Sequence, residues 1–257
     1  MLKFLRWVRH TFWATVLVFI ATLFVGLSVV EYNKFPSKVE LQDINNISRE
    51  YPPLYQRAIK KSRQSAVKVQ STSLRFLGGT STSSGTYFTA NQKHYILTVD
   101  HGIYGPCMLL VVEHDESYYN CKEYVVRDST NDYAIIELEG PVEALEPVKI
   151  PQDLPSNYEW KKSYSILNHI IYTGYPNTIG PLTLKGDVVG YAEAEYLYIF
   201  SHAYGGASGS GVFTLDGKYI GYVTAIDVGA SEHGVDVLEN IVLVAPAFKI
   251  DWSVVLN

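Results

Sequence analysis

The chain lacks the residue biases that mark several common classes of protein. Of its 257 residues only two are cysteine and two are methionine, and 21 Lys and Arg are outnumbered by 26 Asp and Glu. A nucleic-acid-binding protein usually shows a basic surplus, so we expect no nucleic-acid partner. Two cysteines without a cluster of histidines argue against a structural zinc site, and no metal or cofactor is expected. The sequence also has no repeat of fixed period and no long low-complexity tract.

Apolar and aromatic residues are abundant instead. Hydrophobic residues make up 47% of the chain, which excludes a disordered protein. There are 20 tyrosines, and many short runs rich in Val, Ile, Tyr and Thr are separated by glycine. This pattern favours an all-β architecture, and the length suits one large domain or two small ones.

The N-terminal segment predicts a signal anchor. Residues 1–10 carry Lys3, Arg6 and Arg9 and no acidic residue, and residues 11–30 contain no charged side chain. A run of about 20 apolar residues spans the hydrocarbon core as a helix, and its basic flank stays in the cytoplasm. The alternative is a cleaved signal peptide, whose apolar core is typically only about 7–15 residues long. The longer run favours the uncleaved anchor, which places the rest of the chain in the periplasm or outside the cell.

The remainder divides into a stalk and a β-rich domain. Residues 31–50 are polar and mixed in charge, and Pro52 and Pro53 open a short helix predicted over Leu54–Arg63. From Ala66 the hydrophobic period changes to two. We therefore expect a cytoplasmic basic tail, a transmembrane anchor, a stalk with its helix, and one domain over residues 1–10, 11–30, 31–63 and 64–257.

A glycine-dense stretch, Gly205–Gly211, lies between two apolar runs; we call it the serine loop, because Ser208 is the reactive side chain at its centre. Glycines on both sides of Ser208 remove bulk, so backbone N–H groups can converge near its hydroxyl. An acyl-transfer enzyme needs this geometry, with a nucleophile beside oxyanion donors. The alternative is a glycine-rich hairpin loop with incidental serines, and the stretch alone favours that alternative.

A base and an acid can be selected by their positions. Of seven histidines, His101 stands at the end of a predicted strand, Tyr95–Val99, where it opens into a loop. Asp132 opens an apolar strand, where an acid is commonly a turn residue or cap but can also orient a histidine ring. Asp128 is the rival acid, and its polar neighbours indicate a solvated side chain.

The two cysteines, Cys107 and Cys121, flank a hairpin predicted around His114–Ser117. Counting the register about that turn places them opposite each other on adjacent strands, within reach of a disulfide. A bridge requires an oxidising compartment. Two buried free thiols are the equally open alternative.

Several local predictions depend on glycine and proline. We expect a strand at Leu74–Leu77, turns at Gly78–Thr80 and Ser83–Gly85, and a hairpin about Gly186 between strands Leu182–Lys185 and Asp187–Tyr191. Residues Glu139–Lys161 are predicted to cross between two sub-domains. A short helix is predicted over Phe248–Leu256.

Histidine, aspartate and serine follow one another in a known chain order of the Ser-His-Asp triad, the one found on double β-barrels. The stretches that contain them resemble the three catalytic blocks of the chymotrypsin-like (trypsin-fold) serine proteases, nearest to the Deg/HtrA group: Leu97–His101, Asn131–Ile136 and Gly206–Gly211. Further segments resemble the strands before the histidine and after the serine and the end of the protease domain: Ser83–Phe88, Gly217–Ile226 and Val244–Pro246. The resemblance covers the chain from about Ala66 to its end, without a PDZ domain.

This resemblance implies two six-stranded antiparallel β-barrels and a role for each site residue. Ser208 would be the nucleophile, His101 the general base and then acid, and Asp132 the group that holds the histidine tautomer. The backbone N–H groups of Gly206 and Ser208 would form the oxyanion hole.

The resemblance also implies a substrate-binding strand. Thr224, Ala225 and Ile226 would pair with an extended peptide, and the Thr224 hydroxyl would support the aspartate. Ile226 stands where relatives with open pockets have glycine and would narrow the specificity pocket, which predicts small or medium apolar residues at the cleavage site. No aspartate matches the position that selects Lys or Arg in the family; His202 stands near that position, and its contact with a polar or acidic side chain of the substrate is the alternative.

The chain departs from the family pattern at three sites. Ser210 replaces the second glycine after the serine, with Gly211 next to it, which puts the loop geometry in question. Ala207 replaces the aspartate that pairs with a freed N-terminus in trypsin-like zymogens, so activation by N-terminal cleavage is not expected. Asp100 beside His101 is unusual and could be a surface charge or could perturb the histidine.

We therefore expect a membrane-anchored serine endopeptidase that acts on protein or peptide substrates, with its oligomeric state open. The alternative is a catalytically silent trypsin-fold module that binds extended peptides; the intact residues His101, Asp132 and Ser208 favour the enzyme. An α/β-hydrolase esterase fits poorly, because its elbow needs glycine at position 210 and its serine comes first in the chain.

Overall fold

The computed structural model describes residues 12–22, 52–74, 79–192, 195–231 and 234–256, with side chains described outside residues 225–239. The chain forms two compact units, Met1–Glu50 and Tyr51–Asn257. In the first, residues 12–22 form helix α1. Within the described ranges, no helix combines the length and the apolar character needed to cross a membrane. The predicted anchor over residues 11–30 extends beyond the described residues at both ends.

The second unit begins with helix α2, Pro53–Ser65, which carries proline at its first turn. The helix belongs to the same compact unit as the strands and packs on them. It is anchored by polar contacts, because the Ser62 hydroxyl donates to Thr173 Oγ1 at 2.7 Å. Arg63 also donates to the carbonyl of Pro181 at 3.1 Å and to Thr183 Oγ1 at 2.9 Å.

The first barrel is built from the strands that follow α2: β1 Ala66–Thr72, β2 Thr80–Ala90, β3 Lys93–Thr98, β4 Leu110–His114, β5 Ser117–Asp128 and β6 Tyr133–Leu138. The strand order is β1-β4-β5-β6-β3-β2, and antiparallel pairing of β1 with β2 closes the six-stranded barrel. A two-residue strand, β7 (Val148–Lys149), adds to β2 in parallel. The disulfide Cys107–Cys121 forms, with the two Cα atoms 5.4 Å apart, which settles the alternative that the sequence left open.

The second barrel contains β8 His169–Gly174, β9 Leu182–Tyr191, β10 Leu197–Phe200, β11 Gly211–Thr214, β12 Tyr219–Ser231 and β13 Gly234–Pro246. These strands close in the order β10-β13-β12-β11-β8-β9. A four-residue helix, α3 (Trp160–Ser163), lies between the barrels in sequence, and a second, α4 (Ser253–Leu256), ends the described chain. The expected pair of six-stranded antiparallel barrels is therefore confirmed.

The core consists of three hydrophobic clusters. One fills the first barrel with residues such as Val67, Ile96 and Ile136, and another fills the second barrel with residues such as Ile199 and Val244. The third joins the barrels: it unites Phe88 and Leu97 of the first with Phe213 and Tyr222 of the second. Neighbouring residues of β3 therefore face different clusters, which explains why its run of apolar residues is continuous.

Some local predictions were wrong. Ser83–Gly85 is not a turn but lies inside β2, and Gly186 is not a hairpin but lies inside β9, which is one strand. Leu74 is a bend rather than the start of a strand, and the rest of that predicted strand lies outside the described residues. The terminal helix is shorter than predicted, because a 3-10 turn at Ala247–Lys249 precedes α4.

Candidate active site

His101 lies on a 3-10 turn, Asp100–Gly102, immediately after β3; we call it the histidine turn. Val99, which links the turn to the strand, is completely buried and anchors the turn in the cluster between the barrels. The histidine side chain remains 55% exposed. A buried strand end therefore holds an imidazole that is itself largely exposed.

Asp132 meets His101 with both carboxylate oxygens. Oδ2 lies 2.8 Å from the imidazole Nδ1, and Oδ1 accepts the backbone N–H of His101 at 3.0 Å. Asp132 adopts a left-handed backbone conformation with φ of 56°, which aspartate tolerates better than most residues. Asp128 supports this turn, because its carboxylate accepts the backbone N–H groups of Thr130 and Asn131 at 2.8 and 3.0 Å. The rival acid is thus a turn cap that helps to place Asp132.

The electrostatic setting favours a protonated imidazole more than water does. The hydrogen bond from Asp132 raises the pKa of His101 above its ordinary value, and the negative charges of Asp132 and Asp100 act in the same direction, whereas burial opposes them. Asp132 also fixes which ring nitrogen carries a proton, because its carboxylate can only accept at Nδ1. The Nε2 atom makes no hydrogen bond with any residue that the structure describes. It is the nitrogen that could accept a proton from a nucleophile.

The serine loop is held in a shape that only glycine allows at two positions. Gly206 and Gly209 have φ of +94° and +90°. A Cβ on Gly209 would lie 2.0 Å from the carbonyl oxygen of Ser84, so a side chain is excluded there. The carbonyl of Gly205 accepts the N–H of Asn177 at 2.6 Å, and in a trans peptide the Gly206 N–H then points the opposite way.

The backbone N–H groups of Gly206 and Ser208 make no hydrogen bond with any described residue, whereas the N–H groups of Ala207, Gly209 and Ser210 are all paired. Two unpaired donors around one serine are the arrangement expected of an oxyanion hole. The Ser208 side chain is half-buried, and its hydroxyl has no hydrogen-bond partner among the described residues. The structure therefore joins His101 to Asp132 by hydrogen bonds but does not join Ser208 to His101 by one.

Ser84 of β2 ties the serine loop to the first barrel. Its N–H donates to the carbonyl of Ser208 at 2.8 Å, and its hydroxyl donates to the carbonyl of Gly206 at 2.7 Å while accepting the N–H of Tyr175 at 2.8 Å. The residue is completely buried. Sequence reasoning missed it, since Ser84 was assigned to a turn; its place in the segment that resembles the strand before the histidine was the signal.

Ser210, the departure from the family pattern, fits the loop without distortion. Its buried hydroxyl donates to the carbonyl of Ala207 at 2.6 Å. The space for it comes from Gly174, where a Cβ would lie 1.9 Å from Ser210 Oγ. A glycine opposite the loop therefore accommodates the extra hydroxyl.

The residues expected to bind substrate are only partly described. His202 is exposed, and its carbonyl accepts a hydrogen bond from the hydroxyl of the buried Tyr172, whose pKa burial raises to about 12. The Thr224 hydroxyl donates to the carbonyl of Leu243 at 3.1 Å, so it does not support Asp132 as expected. The side chains of Ala225 and Ile226 lie outside the described residues, although their backbone forms part of β12.

Comparisons with known proteins find similarity in structure but not in sequence. No protein-family model matches the chain, and no curated protein sequence matches it. The serine endoprotease from Yersinia pestis is similar in structure, with a TM-score of 0.58 and 21% identity over 80% of this chain and 68% of that chain. The HtrA-type protease AlgW with a tripeptide gives a TM-score of 0.57 and 16% identity over 76% of this chain and 60% of that chain.

The Rv3671c protease from M. tuberculosis in its active form is also similar, with a TM-score of 0.58 and 16% identity over 80% of this chain and 87% of that chain. At such low identity, the similarity concerns the fold. The chain therefore has the double-barrel, trypsin-like fold of these proteases.

Proposed function

We propose that the protein is a membrane-anchored serine endopeptidase that hydrolyses peptide bonds through Ser208, His101 and Asp132. One observation carries the proposal: Asp132 holds both the backbone and the ring of His101, and Nε2 has no partner among the described residues. The same barrel contributes Ser84, which holds the serine loop. The anchor rests on the apolar run over residues 11–30 alone.

The chemistry would begin with attack of Ser208 Oγ on the scissile carbonyl while His101 Nε2 takes the hydroxyl proton. Asp132 would stabilise the imidazolium that forms, and His101 would then return the proton to the leaving amine. Water would repeat the sequence on the acyl-enzyme. Because the base must be neutral, the rate should rise with pH through the raised pKa of His101.

The developing oxyanion would be bound by the unpaired N–H groups of Gly206 and Ser208. Gly206 supports this role because its carbonyl is already engaged by Ser84, at 2.7 Å, which fixes the orientation of the following peptide. Losing one donor of this kind typically lowers the rate by about 10²–10³.

Backbone pairing supports extended substrates. Strand β11 pairs with β12 only as far as Tyr222, while β13 continues along the other side. From Thr224 the edge of β12 that faces away from β13 has no partner strand among the described residues. A peptide in extended conformation could add to this edge, beside the serine loop, by β-augmentation.

A silent peptide-binding module is the second candidate function, since no hydrogen bond joins Ser208 to His101. Such contacts often tighten only when substrate binds. The deciding experiment is labelling of the full chain with a fluorophosphonate probe. We expect labelling that Ser208→Ala abolishes and His101→Ala strongly reduces.

Ser210→Ala is the matched control, since it removes a hydroxyl two residues away and should leave the label on Ser208. A folded wild-type chain that takes up no label, or a label that survives in Ser208→Ala, would reject the enzyme and favour the binding module.

A further inference from the structure

Asp100 places a carboxylate directly before the candidate base in the sequence, and Arg127 forms an ion pair with it. Arg127 Nε lies 2.6 Å from Asp100 Oδ1, and a second guanidinium nitrogen donates to the carbonyl of Ile103 at 3.2 Å. These two contacts grip the histidine turn on either side of His101. The Asp100 side chain is only 14% exposed, so its charge is poorly screened by water.

Arg127 is itself held by its own strand. Its guanidinium lies over the ring of Tyr124, 5.6 Å from the centroid, and the Tyr124 hydroxyl donates to the carbonyl of Gly105 at 2.9 Å. The next residue, Asp128, caps the turn that leads to Asp132. The end of β5 therefore supports both the base and its acid partner.

The charged groups around His101 come from three elements. The histidine turn supplies Asp100, the turn before β6 supplies Asp132, and β5 supplies Arg127. The charges of Asp128 and Lys249 interact with each other. Arg127 is thus the positive group nearest to Asp100 in the described part of the chain.

We propose that Arg127 is a positioning residue for His101: it fixes the histidine turn and balances the Asp100 carboxylate, so that the imidazole is less readily protonated than it would be beside an unpaired Asp100. This inference rests on the proposed function, because it concerns the candidate base. Without Arg127, the negative charge of Asp100 would lose its partner, and its effect on His101, which adds to that of Asp132, would favour the protonated ring more strongly.

The first test is an NMR titration of the histidine ring signals in the full chain, with His101→Ala used for assignment. Arg127→Gln should raise the pKa of His101, and Asp100→Asn should lower it, each by about 0.5–1 pH unit. The double variant should return close to the wild-type value, because both charges of the pair are removed together.

Two controls separate charge from folding. Arg127→Lys keeps the positive charge and should keep the titration close to that of the wild type. Lys122→Gln removes a positive charge from the same strand, about 16 Å from Arg127 at the usual rise per residue, and should leave the titration of His101 unchanged. The inference is overturned if Arg127→Gln leaves the titration unmoved, or if it and Asp100→Asn move it in the same direction.

The second readout is the pH profile of fluorophosphonate labelling. In Arg127→Gln the acid limb should move to higher pH, with about a 3- to 10-fold loss on that limb and little change at alkaline pH, as a rise of 0.5–1 unit requires. A uniform loss at every pH would indicate a purely structural role and would overturn the inference. Because the NMR titration needs no activity, a chain that fails to label while its pKa values move as stated would reject the proposed function alone.

Discussion

Ser84 is the residue through which the first barrel grips the serine loop of the second. It is buried, and its backbone and hydroxyl together contact Ser208, Gly206 and Tyr175. Removing the hydroxyl would leave the N–H of Tyr175 and the carbonyl of Gly206 without this partner. A buried donor without a partner typically costs about 1–3 kcal/mol.

We expect Ser84→Ala to lower the rate of fluorophosphonate labelling about 10- to 100-fold, because a small displacement of a nucleophile has effects of this size. The free energy of unfolding should fall by about 1–3 kcal/mol, measured by urea denaturation. Ser83→Ala is the control: its buried hydroxyl contacts Thr98 Oγ1 at 3.1 Å, so it should cost stability without slowing labelling. Equal slowing in both variants would deny Ser84 a specific role.

Sequence reasoning could select His101, Asp132 and Ser208, because each stands at the boundary of an apolar strand in a recognised chain order. The contact between His101 and Asp132 agrees with that selection. Sequence reasoning did not find Ser84 or Arg127, because their importance depends on partners that the folding of the barrels brings near. The Thr224 hydroxyl illustrates the same limit: it donates to Leu243 of the neighbouring strand and not to Asp132.

At the scale of elements, glycine misled the strand predictions for a physical reason. Gly186 lies inside β9, and the position requires glycine because a Cβ there would lie 2.6 Å from Ile199 Cγ2 and 2.9 Å from the carbonyl oxygen of Phe200. Gly85 lies inside β2, and it too must be glycine, because a Cβ there would lie 2.7 Å from Ile96 Cγ2. Both glycines allow close packing of strands rather than chain reversal, and a sequence alone does not distinguish these uses.

The disulfide fastens the short turn before β4 to the middle of β5. Cys107 and Cys121 are separated by 14 positions, and Cys121 is buried in the first barrel. We expect Cys107→Ala with Cys121→Ala to lower the free energy of unfolding by about 3 kcal/mol, since the bridge restricts the unfolded chain. Urea denaturation of the wild type with and without reductant is the check. If the reductant shifts the double variant as much as the wild type, the bridge is not the cause.

At the scale of the whole molecule, the site is divided between the barrels. His101 and Asp132 belong to the first barrel, and Ser208 follows β10 of the second. Trp252 contacts both barrels: its ring centroid lies 5.6 Å from that of Phe88 in the first barrel and 6.3 Å from that of Tyr219 in the second. Its fluorescence should therefore change when the two barrels pack together. Formation of either barrel alone cannot assemble the site.

During refolding from urea, we expect labelling of Ser208 to return together with the fluorescence of Trp252 and after the far-ultraviolet signal of the strands. The measurement uses a variant in which the other three of the four tryptophans are phenylalanine. Ser208→Ala, which should regain fluorescence without label, shows that the two signals are independent. Label that appears before the Trp252 signal would contradict the division of the site.

For the proposed protease, this division would limit cleavage of the chain during its own synthesis. A nascent chain is the easiest of all substrates to cut, because its peptide bonds are not yet protected by structure. Here Ser208, the proposed nucleophile, follows the first barrel by many residues. A chain that has completed only its first barrel would therefore hold His101, the proposed base, without the serine that it is to activate. Proteolytic activity would appear only when the two barrels pack together. By then, folded structure would already protect most of the peptide bonds that the protein could cut in other copies of itself.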